Sequence, residues 1–401
     1  MTAPEAGESR DMPVLIAGAG IAGLALALGL ARRNVKVRVL ERRSDLSEAG
    51  AGIQLGPNAI GVLQRLGVAA RLEPSTGRPE AIEVMEGATG RQVGRLPLGS
   101  WLERRHGAPY RVAHRADLHG ALLEAARETP EIELVTGFEV GGWRDTGDGI
   151  EASALDGRVA AGQLLVGADG LWSALRRGLF PEHPLTYSGK MAVRTVLPMP
   201  ADGSRFARPV TGVWLGRDAH VVHYPVRDHR ELAVVAIVDE SVPREGWGGE
   251  IGALSVQARL VSFSAELLTF LSRASDWRAW SLFDPPPLPA WAQGRIGLIG
   301  DAAHPILPFL AQGGAMALED AETLACLIAA NAAQPERAFA LLQSLRRDRV
   351  HRVQSASREN GRLFHARGLE RVARGTVMRT VPGALLMRRY DWLYEWTGDV
   401  T

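Results

Sequence analysis

The segment Val14–Glu41 constrains the fold more than any other part of this chain. An apolar, β-branched run (Val14 to Ala17) leads into Gly18-Ala19-Gly20-Ile21-Ala22-Gly23; a helical pattern follows to about Arg33, then a second strand (Val35 to Leu40) and Glu41. A GxGxxG signature gains force in this setting, where it follows a strand, opens a helix and precedes an acid about 20 positions on. Gly18 permits the tight turn, Gly20 lets the backbone approach a pyrophosphate, and Gly23 lets helix and strand pack closely. The helix N-terminus offers free N–H groups and the positive end of a dipole, and Glu41 is placed to accept hydrogen bonds from ribose hydroxyls. The segment predicts a βαβ unit that binds a dinucleotide.

Val14 to Ala31 carries no charge over 18 residues, which by length alone would nominate a membrane span. Its four glycines and β-branched start argue instead for a buried strand and a buried helix, so a soluble, cytoplasmic protein is expected. The N-terminal stretch MTAPEAGESRD has no basic region before an apolar core and reads as a frayed tail, not a signal peptide.

At 401 residues two or three structural units are expected. A net charge of +1 provides no field for nucleic acid or acidic membranes. The positive charge is almost all Arg, the only lysines being Lys36 and Lys190. The single cysteine, Cys326, excludes an internal disulfide and multi-cysteine metal motifs, and its apolar helical setting reads as a buried structural thiol. No His, Asp and Glu cluster has metal spacing, and no GxSxG occurs.

Two further turns repeat the logic of the first. Leu164-Leu165-Val166 runs into Gly167-Ala168-Asp169-Gly170, with Ser173 and Arg176 on the helix after it. Ile296 to Ile299 runs into Gly300-Asp301, a loop with Pro305, Pro308 and Gly313-Gly314, and a helical pattern from Ala315. Each places a carboxylate and backbone N–H groups beside a helix start.

Elsewhere, residues 49–66 read as a Gly-rich loop ending at Pro57-Asn58 followed by an amphipathic helix. Residues 80–105 read as antiparallel strand, His114 to about Arg127 as a helix, and Ile132 to Val159 as a three-stranded meander. Between 188 and 239 four alternating strands are expected, then helical spacing from Leu254 to Leu271. The stiff Pro285-Pro286-Pro287 segment makes a crossing between units, helices follow Ala321 to about His365, and Trp392, Tyr394 and Trp396 read as packed aromatics.

Taken together, three ordered motifs resemble the single-component FAD aromatic hydroxylases (group A FAD monooxygenases), and within them the salicylate hydroxylase-like branch. They are GAGIAG at 18–23 with Glu41-Arg42, GADGLWSALR at 167–176, and GDAAHPILPFLAQGGAMALEDA at 300–321; GAGIQLGPNA at 50–59 and HRADLHGALL at 114–123 are also similar. The resemblance spans nearly the whole chain. It implies an α/β fold: a Rossmann-like FAD-binding domain (1–182, with 80–105 contributing to the substrate domain), an inserted antiparallel-sheet substrate domain (183–292), a return to the FAD-binding domain (293–332) and a C-terminal helical segment (333–401). It also implies a monomer or homodimer that acts on a small aromatic substrate with O2 and with NADH or NADPH as co-substrate.

Residue by residue, the resemblance assigns Gly18, Gly20, Gly23, Glu41 and Arg42 to the ADP half of FAD. It puts Arg115 and Asp301 on the phosphates or ribityl chain, and the backbone from Leu310 through Gly313 and Gly314 on the pyrimidine edge of the flavin, with Gln312 adding a side-chain contact. Asp169 is linked to both FAD and the nicotinamide donor, which has no second GxGxxG of its own. In such enzymes a flavin C4a-hydroperoxide attacks an electron-rich ring, and water must be kept from it. Pro308 is the expected wall of that oxygen pocket, within the apolar run Pro305 to Phe309.

Attack on a phenol is easier once its proton is lost, which calls for a nearby base. In the strand His220-Val221-Val222-His223-Tyr224, alternation puts His220 and Tyr224 on one face and His223 on the other. His220 is the candidate base and Tyr224 the orienting hydroxyl. Arg194, on a neighbouring strand, is either a partner for a substrate carboxylate or a solvated sheet arginine. His304 reads as a structural hydrogen-bonding group, and His114 as the residue that opens its helix.

Other chemistries use similar folds. An FAD reductase or oxidase would consume NAD(P)H without inserting oxygen, and a non-catalytic flavin- and aromatic-ligand-binding protein would show no ligand-stimulated oxygen uptake. A flavin halogenase would carry an active-site lysine and a Trp-x-Trp-x-Ile-Pro box, neither of which is evident. A plain NAD dehydrogenase would be colourless.

Overall fold

A computed structural model of the chain describes residues 12–46, 52–244 and 248–398. The expected N-terminal tail and part of the Gly-rich loop, residues 49–51, lie outside the described residues. Four parallel neighbours build the cofactor sheet: Ile296–Leu298, Leu164–Gly167, Val14–Ala17 and Val37–Glu41, in that spatial order. Ile132–Thr136 extends it in parallel beyond Val37–Glu41, and Ala292–Gln293 closes the other edge antiparallel. The meander thus differs from expectation. Ile132–Thr136 belongs to the parallel sheet, and the meander itself consists of Val140–Asp145, Ile150–Ala154 and Val159–Gly162. Hydrophobic alternation alone does not tell a strand buried in a parallel sheet from a meander strand.

The uncharged run after Val14 divides as its glycines require. Val14–Ala17 is buried throughout, and ten of the eleven residues of helix Ile21–Ala31 are buried against neighbours that include Gly313–Ala330. Each fully buried Leu on that helix contributes roughly 1.5–3 kcal/mol of transfer free energy. Among the described residues no helix is long and apolar enough to cross a membrane.

An eight-stranded sheet forms the second layer. Its spatial order is Gly249–Ile251, Trp277–Phe283, Tyr187–Pro198, Glu231–Asp239, Ala219–Val226, Thr211–Leu215, Ala81–Glu86 and Gln92–Pro97. One face packs on Phe206, Trp214, Phe263 and Phe270, with the helical region 254–271 broken into Ala253–Arg259 and Ala265–Leu271. The break has a local cause: Ser264 accepts from the Leu267 N–H and starts a new helix. The opposite face looks toward the cofactor sheet.

Two other expectations of secondary structure change. Within the Gly-rich loop, Gly52–Leu55 is a strand paired antiparallel with Arg111–His114. Residues Gly99–His106, expected as strand, are helical. In the C-terminal segment, expected to be helical, the chain beyond His365 forms helices Gly368–Thr380, Gly383–Arg388 and Asp391–Tyr394. Cys326 is only half-buried, and its Sγ accepts from Arg33 Nη2 at 2.7 Å.

The long helix Arg337–Phe364 lies over Gly313–Ala330 and is tied to it by buried charge. Arg346 donates to Glu319 Oε2 at 2.5 Å and Asp320 Oδ1 at 2.9 Å, and all three are buried. Arg349 donates to both oxygens of Glu319, at 2.7 and 2.8 Å. The other oxygen of Asp320 accepts from the Gly300 N–H at 3.1 Å and faces His304 Nε2 at 2.5 Å, so this network fixes the Gly300-Asp301 turn.

Candidate active site

The first turn has the geometry that a pyrophosphate cradle needs. Gly18 sits at φ +107°, and a Cβ there would lie 2.6 Å from the Ala168 carbonyl oxygen. A Cβ at Gly23 would lie 2.0 Å from the Gly18 oxygen, whereas one at Gly20 would meet nothing within 4 Å. Gly18 and Gly23 therefore serve packing, and Gly20 borders open space. Glu41 is buried, with Oε2 accepting from the Ala19 N–H at 2.8 Å and Oε1 from the Arg43 N–H at 3.0 Å.

That open space is a groove of about 410 Å³ bordered by Gly18, Glu41, Arg42, Arg115, Asp169 and Asp301. It shares Gly20, Arg115, Ala168, Gly170 and Asp301 with a second cavity of about 270 Å³, so the two are continuous. Asp169 Oδ2 accepts from the Ala174 N–H at 2.8 Å, while its Oδ1 is buried without a hydrogen-bond partner. Burial pushes the Asp169 carboxyl up, against opposing hydrogen bonds from Ser173 and the backbone of the helix start. Asp301 opens onto the groove. Enclosure by the surrounding protein raises its pKa, partly offset by Arg115 and His304.

Gly313 and Gly314, at the N-terminus of helix Gly313–Ala330, line the smaller cavity. A Cβ at Gly313 would lie 4.0 Å from Asp301 Oδ1, which puts the helix end and the Gly-Asp turn on one wall. Gln312 departs from expectation. Its side chain is buried and accepts from Asn58 Nδ2 at 3.0 Å, so it braces the helix start against Pro57–Arg65 and does not line the cavity. Asn58 satisfies two acceptors at once, its Nδ2 also donating to Glu319 at 2.7 Å.

Facing this wall is the inner surface of the eight-stranded sheet. His220, Val222 and Tyr224 alternate along one strand and all line the smaller cavity, as does Arg194. His223, on the other face, is buried beside Phe206 and Phe270. Pro308 lines the cavity, with Ile306 beside it. Arg194 is not a solvated sheet arginine: it sits over the Trp280 ring at 5.0 Å, its Nε is buried without a hydrogen-bond partner, and no carboxylate pairs with it among the described residues. Burial holds its pKa below the usual arginine range; Tyr224 opposes that shift and Arg115 adds to it.

Burial also shapes the two candidate proton-handling groups. His220 is held well below the usual histidine range by burial, then by His365 and Lys190. The Tyr224 hydroxyl is raised by burial, with Arg194 opposing. At neutral pH His220 is thus a neutral imidazole with an acceptor available, and Tyr224 a neutral donor. A third cavity of about 470 Å³ shares Gln54, His220, Val222, Pro308 and Ala311 with the smaller cavity and extends toward the C-terminal helices.

Sequence reasoning missed several participants. Trp280 reaches Arg194 from the strand Trp277–Phe283, in a stretch to which sequence pattern assigned no element, and a Cβ on Gly52 would lie 2.3 Å from Tyr224 Cε2. His304 is a structural group, as its partner Asp320 shows, and His114 Nδ1 accepts from the Ala116 N–H at 3.2 Å at its helix start.

A strand–glycine-turn–helix cradle, two acids on a continuous groove and a helix N-terminus opposite an enclosed sheet define a dinucleotide-type flavoprotein of the FAD-dependent hydroxylase fold. Residues 11–360 match the family described as "FAD binding domain". The chain is 36% identical over 395 residues to 3-hydroxybenzoate 6-hydroxylase of Klebsiella oxytoca, covering 98% of both. Among solved structures it resembles a salicylate hydroxylase substrate complex (TM-score 0.80, 27% identity, covering 96% of this chain and 95% of that one). It also shares the fold of Klebsiella pneumoniae HpxO complexed with FAD and uric acid (TM-score 0.84, 21% identity, 96% of both chains). The chain belongs to this FAD-binding family, and it is an FAD-dependent aromatic monooxygenase that uses NAD(P)H and O2.

Proposed function

We propose that the ring hydroxylated is a small phenolic acid, with a hydroxypyridine-type acid as the related alternative, held between the flavin-side wall and the inner face of the eight-stranded sheet. The observation that carries this reading is the grouping of Arg194, His220 and Tyr224 on one cavity with Pro308, Asp301 and Gly313. FAD, when bound, supplies the site that accepts hydride from NAD(P)H and activates dioxygen. The groove along Gly18, Gly20, Glu41, Arg42, Arg115, Asp169 and Asp301 would hold its ADP half and chain, with Gly23 allowing the helix to pack closely behind the turn. The N–H groups at Gly313 and Gly314 would face the pyrimidine edge and favour negative charge there.

In this reading Arg194 pairs with the substrate carboxylate. A guanidinium carbon 5.0 Å over an indole ring, with its Nε enclosed and without a hydrogen-bond partner, is placed to gain from a charge-assisted contact with a carboxylate. His220 accepts the phenolic proton, and the Tyr224 hydroxyl donates to the oxygen and fixes its position. Ile306, Pro308 and Val222 exclude water from the reacting face. The division between an FAD-binding part and a substrate part at about 183–292, a cytoplasmic site of action and a monomeric or homodimeric state belong to the same proposal.

Purified holoprotein titrated with a panel of phenolic and hydroxypyridine acids, with NADH, NADPH and oxygen consumption followed together, tests it. Ring hydroxylation of a carboxylated phenol is the expected result. His220→Ala should lower coupled hydroxylation and keep FAD; loss of FAD in that variant would contradict the assignment of His220 to the substrate side.

A further inference from the structure

We propose that His365 is a positioning residue that works through His220, relaying the substrate's phenolic proton to a surface pair formed by Asp239 and Lys190. The geometry is a chain of four side chains. His220 Nδ1 lies 2.9 Å from His365 Nε2, although 145 residues separate them. His365 Nδ1 lies 3.2 Å from Lys190 Nζ and 3.8 Å from Asp239 Oδ1, and Lys190 Nζ donates to Asp239 Oδ1 at 2.5 Å. Exposure rises along it: His220 2%, the His365 side chain 9%, Lys190 25% and Asp239 46%.

Two tautomer states follow. In the first, His220 carries its proton on Nδ1 and donates to His365 Nε2, His365 carries its proton on Nδ1, with the Lys190 ammonium turned off that nitrogen and Asp239 Oδ1 closed from 3.8 Å to hydrogen-bond distance, and His220 Nε2 is free to accept. Deprotonation moves the phenolic proton to His220 Nε2, the Nδ1 proton of His220 to His365 Nε2, and the Nδ1 proton of His365 to the Asp239 carboxylate, from which solvent takes it. The substrate is left as phenolate, both imidazoles are neutral, and His365 Nδ1 now accepts from Lys190 Nζ, the contact present in the structure. Running the steps backwards returns a proton to the product oxygen and resets both tautomers. No oxidant or reductant enters.

Burial gives the relay its reason. An imidazolium at His220 would sit in an enclosed cavity with Arg194 and with Lys190 beyond His365, so His220 is suited to passing a proton and not to storing it. His365 is likewise held down, to about 4, by burial and Lys190, with Arg367 in the same sense and Asp239 and Asp218 opposing. Phe309 and Phe364 pack against His220 and keep water from its flanks, leaving His365 as its polar neighbour on that side.

This inference rests on the reading of His220 as the base, and the test separates the two. Oxidised holoprotein is mixed with 3-hydroxy-4-nitrobenzoate, whose phenolate is coloured, and proton release after a pH jump is followed by absorbance. His365→Gln and Asp239→Asn should slow ionisation of the bound phenol on the order of 10- to 100-fold, within the range of general acid–base effects, with ligand affinity changed little. His220→Ala should abolish relayed ionisation. If His220→Ala ionises the ligand at the native rate, the base reading fails. If His220→Ala is slowed but His365→Gln is not, the relay alone is wrong. The ring nitrogens of nitrogen-15-labelled histidines, read by NMR with no ligand added, provide a second measurement: His365→Gln should shift the His220 Nδ1 resonance, and an unmoved resonance would overturn the coupling even where the nitrophenol does not bind.

Discussion

The guanidinium carbon of Arg194 lies 5.0 Å from the centroid of the Trp280 ring, on the cavity wall that also carries His220 and Tyr224. Arg194 is half-buried over that ring, its Nε is enclosed without a hydrogen-bond partner and no carboxylate pairs with it among the described residues, so an anionic substrate completes the site. Arg194→Gln should raise KM for a carboxylated phenol on the order of 10- to 100-fold, the equivalent of about 1.5–3 kcal/mol for a charge-assisted contact, with FAD retained. Arg194→Lys should restore little, because an ammonium offers neither the fork nor the stacking plane. Phenols without a carboxylate are the control. If their KM rises equally in Arg194→Gln, the side chain is not reading the acid group.

Glycines in the first turn should separate cofactor binding from folding. Gly20→Ala adds a methyl that meets no protein atom within 4 Å, so the apoprotein should melt close to the native temperature while FAD affinity falls at least about tenfold. Gly23→Ala puts its Cβ 2.0 Å from the Gly18 oxygen, and apoprotein stability should drop by about 1–3 kcal/mol or more. Thermal melts of both apoproteins, with FAD titrations by fluorescence, check the pair. Equal destabilisation in both would contradict the division of roles.

Much of this turn was legible from spacing alone, because a strand, three glycines, a helix and an acid each have one local job. The face assignment of His220 and Tyr224 was legible for the same reason, since strand alternation is strict. The partners supplied by distant chain were not. Trp280 and His365 meet the site through sheet register and the end of a long helix, and nothing near them in sequence marks either. Gln312 misled because its backbone opens the flavin-side helix while its side chain is held by Asn58, a partner 254 positions away. The strand Gly52–Leu55 was hidden by its glycine-rich surroundings, since pairing with Arg111–His114 overrides local preference.

Acid should act on the Asp320 network. Burial pushes the Asp320 carboxyl up, but His304 and Arg346 outweigh it and leave the pKa below the usual Asp range. A carboxylate depressed on folding contributes stability that is complete above its unfolded pKa of about 4 and is lost as pH falls through its folded value. Denaturant melts from roughly pH 6 to pH 3 should show that loss. Arg346→Met should cost about 3–5 kcal/mol near neutrality, since it leaves buried Glu319 and Asp320 short of a partner, and should flatten or reverse the acid slope. An unchanged slope in the variant would contradict the assignment.

Tyr224 is held in place by the absence of a side chain opposite it. A Cβ on Gly52 would lie 2.3 Å from Tyr224 Cε2 and 2.6 Å from its hydroxyl, so Gly52→Ala should displace the ring. Coupled hydroxylation should fall on the order of 10-fold or more with FAD still bound, and Tyr224→Phe should lower the rate without the structural shift. Near-native coupling in both variants would remove Tyr224 from the site.

Oxygen insertion into a phenolic acid is the central claim, and heavy-isotope dioxygen tests it most directly. Holoprotein supplied with NADH or NADPH, heavy dioxygen and 3-hydroxybenzoate, salicylate or 6-hydroxynicotinate should give a hydroxylated product carrying one heavy oxygen atom, with one nicotinamide oxidised per product. Nicotinamide oxidation that yields only hydrogen peroxide across a wide panel of aromatic acids, with no heavy oxygen in any ring product, would contradict it.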